Sequence, residues 1–143
     1  MNNFFSPSPL WQNAGLTFIR ILVGGFMIYH GWETFDAAKI REYTTWDFFK
    51  NSSSPFLMVY MGKISELVAG FLIATGLLTR LGCIILLSVM LYIVFFIGQA
   101  KIWFDDQYPF LFALLALVFF FTGPGTWSLD ELIFKRNKKI QAL

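Results

Sequence analysis

At 143 residues the chain is long enough for one domain. Hydrophobic residues make up 57% of it and charged residues only 14%, against about 25% in a soluble domain, and mean hydropathy is +0.61. That excess of apolar residues excludes an ordinary soluble domain and points to an integral membrane protein. The net charge of +2, divided between regions, gives no footing to a nucleic-acid partner.

Residues 1–15 contain no Lys or Arg and so lack the basic region that opens a secretory signal. The first apolar segment, residues 14–32, is therefore expected to stay as a transmembrane helix, interrupted by Arg20 and His30. A Ser52-Ser53-Ser54-Pro55 breaker precedes the second, residues 56–78. Only Thr79-Arg80 separates it from the third, residues 81–98, so these two helices are expected to be antiparallel neighbours. The fourth, residues 104–122, is stopped by Gly123-Pro124-Gly125. Each is close to the ~20 residues needed to cross ~30 Å of hydrocarbon. The expected fold is an all-α membrane protein, a four-transmembrane-helix bundle forming a single domain over residues 1–143.

After the glycine-proline stop, Ser128-Leu129-Asp130-Glu131 has the spacing of a capping box. It predicts a short C-terminal interfacial helix within residues 128–143. The basic end of that helix (Lys135, Arg136, Lys138, Lys139) suits anionic lipid headgroups or serves as a plain topogenic tail. Four spans place both termini on one side, with Arg80 and those four basic residues. The other side holds Lys39, Arg41, Lys50 and Lys101 among more numerous acids. The dense basic tail puts both termini in the cytoplasm. The loop over residues 33–55, with Tyr43, Trp46, Phe48 and Phe49, is expected to lie against the membrane or cap the outer end of the bundle.

The informative residues are the charges inside the spans. Glu66 stands about 15 Å from the outer end of its helix, near the midplane, and Lys63 about 10 Å from that end, on the same face. A carboxylate at that depth requires a buried partner, a watery cavity or a proton. Two pairings are open. Either Lys63 neutralises Glu66 and Arg20 seeks Asp130 at the cytoplasmic edge, or Arg20 reaches Glu66 and Lys63 turns towards His30 or Asp105. Arg20 stays charged and suits a structural role, whereas His30 near an interface suits local hydrogen bonding, a headgroup, a quinone or a proton. Gly62, Gly70 and Ala74 share the Glu66 strip at fourfold spacing and predict close helix packing. Cys83 is the only cysteine and reads as inert packing. With one His and one Cys the chain has no zinc, iron–sulfur or bis-histidine haem ligand set, and it carries no phosphate-cradling or dinucleotide glycine loop. No metal and no intrinsic cofactor are expected.

Several of these pieces together resemble the DoxX family of small bacterial membrane proteins. They are Arg20, His30-Gly31, the block 62–70 with Glu66, Gly76-Leu77, Thr79-Arg80, Gly123-Pro124-Gly125 and Ser128-Leu129-Asp130. The resemblance implies a four-helix bundle in the bacterial cytoplasmic (inner) membrane, with some relatives tied to quinone-linked sulfur oxidation or to complexes handling oxidative stress. Relatives often carry a lysine shortly after the His-Gly pair, where this chain has Glu33-Thr34. Three expectations follow. The first is a DoxX-like subunit of a redox complex, with a quinone or another amphipathic molecule against Arg20, His30, Lys63 and Glu66, Arg80 and Asp130 at the cytoplasmic edge, and a soluble oxidoreductase or further membrane subunits as partners. The second is a scaffold or lipid-interacting protein, alone or as a homo-oligomer, whose buried charges fix helix register. The third is a proton or small-solute conductor, for which four short spans offer little room.

Overall fold

The computed structural model describes residues 11–133, which are all helix and connection, with no strand among them. Helix α1 (Gln12–Gly31) runs on into a 3₁₀ segment (Trp32–Phe35). Two short helices follow, α2 (Ala37–Thr44) and α3 (Asp47–Lys50), then α4 (Pro55–Thr75). Helix α5 (Thr79–Tyr92) passes into a π segment (Ile93–Ile97), and α6 (Gln107–Thr122) is the last long element. Three continuous helical stretches, Gln12–Phe35, Pro55–Thr75 and Thr79–Ile97, are long and apolar enough to cross a membrane. They bury only 33%, 28% and 28% of their most apolar windows, so most of their apolar surface faces outward, as lipid-facing helices require. The apolar α6 has 16 residues, about 24 Å of helix, and is shorter than the predicted fourth span because residues 102–106 form turns.

Local signals fix the ends. Asp36 caps α2, its Oδ1 accepting from the Ala38 and Lys39 amides at 2.9 and 3.2 Å. Pro55 opens α4, where its missing N–H costs nothing. Gly76 ends α4 in the left-handed region (φ 68°), with Leu77 N–H on Leu72 O at 3.1 Å and Gly76 N–H on Ile73 O at 3.2 Å, a Schellman pattern. The sequence places the α4–α5 turn at Thr79-Arg80. The structure places it at residues 76–78, because Asp130 caps α5 from across the chain. Its carboxylate accepts from the Leu78 and Thr79 amides at 2.7 and 2.9 Å and from the Thr79 hydroxyl at 3.0 Å. At the opposite end Asp106, buried, accepts from the Gln99 and Lys101 amides at 3.1 and 2.8 Å and closes the α5–α6 connection.

The core gathers apolar side chains of mixed size from four helices, among them Met27, Ala69, Ile73, Leu86, Met90, Ala116 and Phe119. Cys83 is buried there, a free thiol within the packing. Helices α1 and α4 pack most closely. A Cβ at Gly24 would stand 2.5 Å from the Ala74 amide nitrogen, one at Gly31 2.4 Å from that of Leu67, and one at Gly70 2.7 Å from that of Ile28. Small residues therefore let two backbones approach, the device membrane helices use where no hydrophobic gain between helices is available. Gly62 departs from the expected packing strip, since a Cβ there would meet nothing within 4 Å. A second cluster (Ile40, Phe49, Val59) seats α2 and α3 on α4, so the loop over residues 33–55 is a folded cap. Ser128 Oγ accepts from the Glu131 amide at 3.2 Å, and residues 129–133 are helical. The rest of the predicted interfacial helix lies outside the described residues.

Candidate functional site

The in-span charges separate into two groups at opposite ends of the bundle. Towards the His30 end, Lys63 Nζ lies 3.2 Å from Glu66 Oε2 on its own helix, the first of the two open pairings. The same ammonium stands 2.8 Å from Glu33 Oε2, which neither pairing contained. Tyr43 completes the group: its hydroxyl donates to Glu33 Oε2 at 2.7 Å, and its ring centroid is 4.8 Å from Lys63 Nζ. Burial, helped by the bond to the Glu33 carboxylate, pushes the Tyr43 phenol well above its usual range and keeps it a donor. Glu66 is 5% exposed.

This group borders a cavity of about 620 Å³ between the α2–α3 cap, α4, α5 and the π segment. Most of the wall is apolar or aromatic, including Trp46, Phe49, Met58, Met61, Tyr92 and Ile97, while Lys63, Glu66 and Tyr43 supply a polar end. Gly62 lines the same space, which is why its missing side chain meets nothing. A void of that size, apolar with a few convergent polar groups, has the general form of a small-molecule site. The π segment supplies Ile93 and Ile97 to its wall; such widened turns often accompany functional sites.

The second group is built on Arg20, 1% exposed. Its Nη2 donates to the Trp127 carbonyl at 2.7 Å. The predicted ion pair with Asp130 is not formed, because the Asp130 carboxylate is committed to the α5 amides; its charge still acts on Arg20 at longer range. Nor does Arg20 reach Glu66, which Lys63 already holds. A Cβ on Gly76 would fall 1.7 Å from Arg20 Nη1, so the guanidinium is wedged against the α4 end. Exposed Arg80 lines a separate space of about 410 Å³ with Asp130 and Glu131.

The structure thus brings Lys63 and Glu66 together, links Arg20 with Asp130 through the α4–α5 turn, and leaves His30 exposed at the cluster's edge. His30 packs edge-on against Tyr29, with ring centroids 5.6 Å apart, and acts electrostatically on both Glu33 and Glu66. Sequence reasoning missed Glu33 and Tyr43, which it counted as loop residues. The available signal was that Glu33 follows His30 by three residues, one further turn if the helix continues. Among the described residues no three His, Cys, Asp or Glu side chains come together to hold a metal ion.

Described residues without a strand, membrane-length apolar helices and a charged cluster bordering a half-open cavity define a class of small membrane protein, and comparison narrows it. The DoxX family profile matches residues 15–99, and the chain belongs to the DoxX family. It is 31% identical to an uncharacterised protein of Haemophilus influenzae over 143 residues, 95% of this chain and all of that protein. It is also 26% identical over 125 residues, 87% of this chain and 90% of the relative, to a Bacillus subtilis protein named "Putative oxidoreductase CatD". No solved structure matches.

Proposed function

We propose that the chain is a four-span bundle of the bacterial inner membrane, with both termini cytoplasmic and α6 as the fourth span. In this reading it serves a membrane redox complex and receives in its cavity a membrane-soluble, ring-bearing molecule of the quinone class. The observation that carries this is the 620 Å³ cavity, whose aromatic and aliphatic wall suits a ring and tail and whose Lys63–Glu66–Tyr43 end suits a polar head. The oxidoreductase name of the Bacillus subtilis relative supports a redox setting. A soluble oxidoreductase or another membrane subunit would supply or remove electrons, since the chain is expected to have no intrinsic cofactor. A photoreactive benzoquinone tests the site in native-lipid particles. Labelling should concentrate on Met58, Met61 and Tyr92, fall when unlabelled quinone competes, and vanish in Gly62→Trp. Labelling that survives that blocked cavity removes the proposal.

A second reading, a scaffold whose buried charges only fix register, is favoured by the Arg20 group, where a buried cation serves the backbone of a turn and lines neither cavity. Recovery of a clean homo-oligomer with neither quinone nor oxidoreductase partner would support it over the first.

A further inference from the structure

Two carboxylates converge on one ammonium at the edge of the cavity. With Lys63 between Glu33 and Glu66 at 2.8 and 3.2 Å, the group carries one surplus negative charge when all three side chains are ionised. Neither nearby cationic side chain forms an ion pair with these carboxylates. From α2, Lys39 is committed to Glu42 at 3.1 Å and acts on Glu33 only at longer range, and from the end of α1 the exposed His30 acts on Glu33 and Glu66 without pairing with either. The α5 side of the cavity contributes Ser88 and Tyr92, and the α2–α3 cap contributes Tyr43, Trp46 and Phe49, none of them charged at neutral pH. An unpaired charge facing apolar walls is costly, and binding a proton is the cheapest way to cancel it.

Where the proton sits decides what the cavity offers an occupant. Tyr43 gives its hydroxyl hydrogen to Glu33, and Lys63 is aimed at both carboxylates. Glu66 lines the cavity, whereas Glu33 stands behind Lys63 outside its wall. An ionised Glu66 can only accept hydrogen bonds; a protonated one donates. We propose that the Glu33–Lys63–Glu66 group holds one exchangeable proton, and that its position on Glu66 lets the cavity bind a ring-carbonyl head, whereas its loss turns the site towards a hydroxyl head. This rests on the quinone-class reading above. No bond of the occupant is made or broken, and the proton comes from the aqueous medium.

The test uses the full chain in phosphatidylcholine nanodiscs, with a short-chain benzoquinone and its hydroquinone as probes and quenching of tryptophan fluorescence as readout, Trp46 being in the wall. Because the quinone binds with a proton, its affinity should fall about tenfold per pH unit once the group ionises. The hydroquinone should show no such fall. Glu66→Gln leaves Lys63 paired with Glu33 and supplies a permanent amide donor, so it should bind quinone with no pH slope. Glu33→Gln leaves a balanced Lys63–Glu66 pair, keeps Glu66 ionised, and should weaken quinone about tenfold or more where the wild type binds best. Infrared spectra supply a second readout: a protonated-carboxyl band in the wild type that Glu66→Gln lacks. Quinone binding without a pH slope in the wild type, a slope persisting in Glu66→Gln, or no such band where quinone binds would overturn the proton coupling alone. No quinone binding at any pH would overturn the quinone reading and this inference with it.

Discussion

Arg20 and Lys63, two cations within the long apolar helices, are used in opposite ways. Arg20 is sealed at 1% exposure, bonded to a main-chain carbonyl, and pressed against a glycine that admits no side chain. Lys63 is bonded to two side chains and faces a cavity. A partner in the backbone cannot change its charge or move without unfolding the turn that carries it. A partner in a carboxylate can take up a proton, and a neighbouring cavity gives another molecule access to the change. A buried charge in a membrane protein is therefore informative about function according to what it is bonded to, beyond its depth alone.

The largest effect that would sharpen this contrast is expected at Gly76. Gly76→Ala places a Cβ on Arg20 Nη1 and forces a left-handed backbone on a residue that disfavours it, so stability should fall by roughly 4 kcal/mol in a detergent-unfolding titration. A loss below about 1 kcal/mol would show that the Arg20 end is not rigid. Exchanging each cation for methionine comes next. Lys63→Met leaves two carboxylates side by side and should cost roughly 3 kcal/mol at neutral pH, shrinking as the pH falls and they take up protons. Arg20→Met should cost about 2 kcal/mol with no dependence on pH in that range, because arginine does not titrate. Equal pH profiles for the two variants would break the comparison.

A smaller effect is expected for Tyr43→Phe, about 1 kcal/mol from the lost bond to Glu33. The folded phenol titrates above the unfolded one. The hydroxyl's contribution is therefore complete below about pH 10 and fades as the pH rises further, so the stability difference between wild type and variant should narrow in alkaline solution. A difference that widened there would contradict the assigned bond. The smallest effect belongs to Gly62→Ala, which adds a methyl to open space beside the cavity. Stability should change by no more than about 1 kcal/mol, in the stabilising direction, while the same change at Gly31 drives a Cβ into the α4 backbone and separates α1 from α4. Comparing the two glycines by thermal unfolding in detergent checks that only one of them serves packing.

Much of this was legible in the chain. Long apolar segments and the serine-proline and glycine-proline breaks place the helices, and the three-residue spacing of Lys63 and Glu66 supplied one of two open pairings, the one the structure forms. Close packing at Gly70 was expected, and the structure makes α1 its partner, but Gly62 lies on the same strip and serves a cavity instead. Spacing reports which face a glycine shares, not what stands opposite. The α4–α5 turn was misplaced because its cap, Asp130, stands 51 residues from Thr79 and is invisible to local reading.

By itself the sequence determined that the chain is helical and apolar enough for a membrane, and that Arg20, Lys63 and Glu66 are charges within apolar helices that need partners. Those conclusions follow from composition and helical period, which act along the chain. Only the tertiary structure decided that the first helix continues far enough to carry Glu33 onto Lys63, that a folded cap brings Tyr43 above them, and that a cavity opens beside Glu66. Those outcomes depend on how separate helices meet. One surplus carboxylate, placed by that meeting, separates a neutral ion pair from a group that can hold a proton.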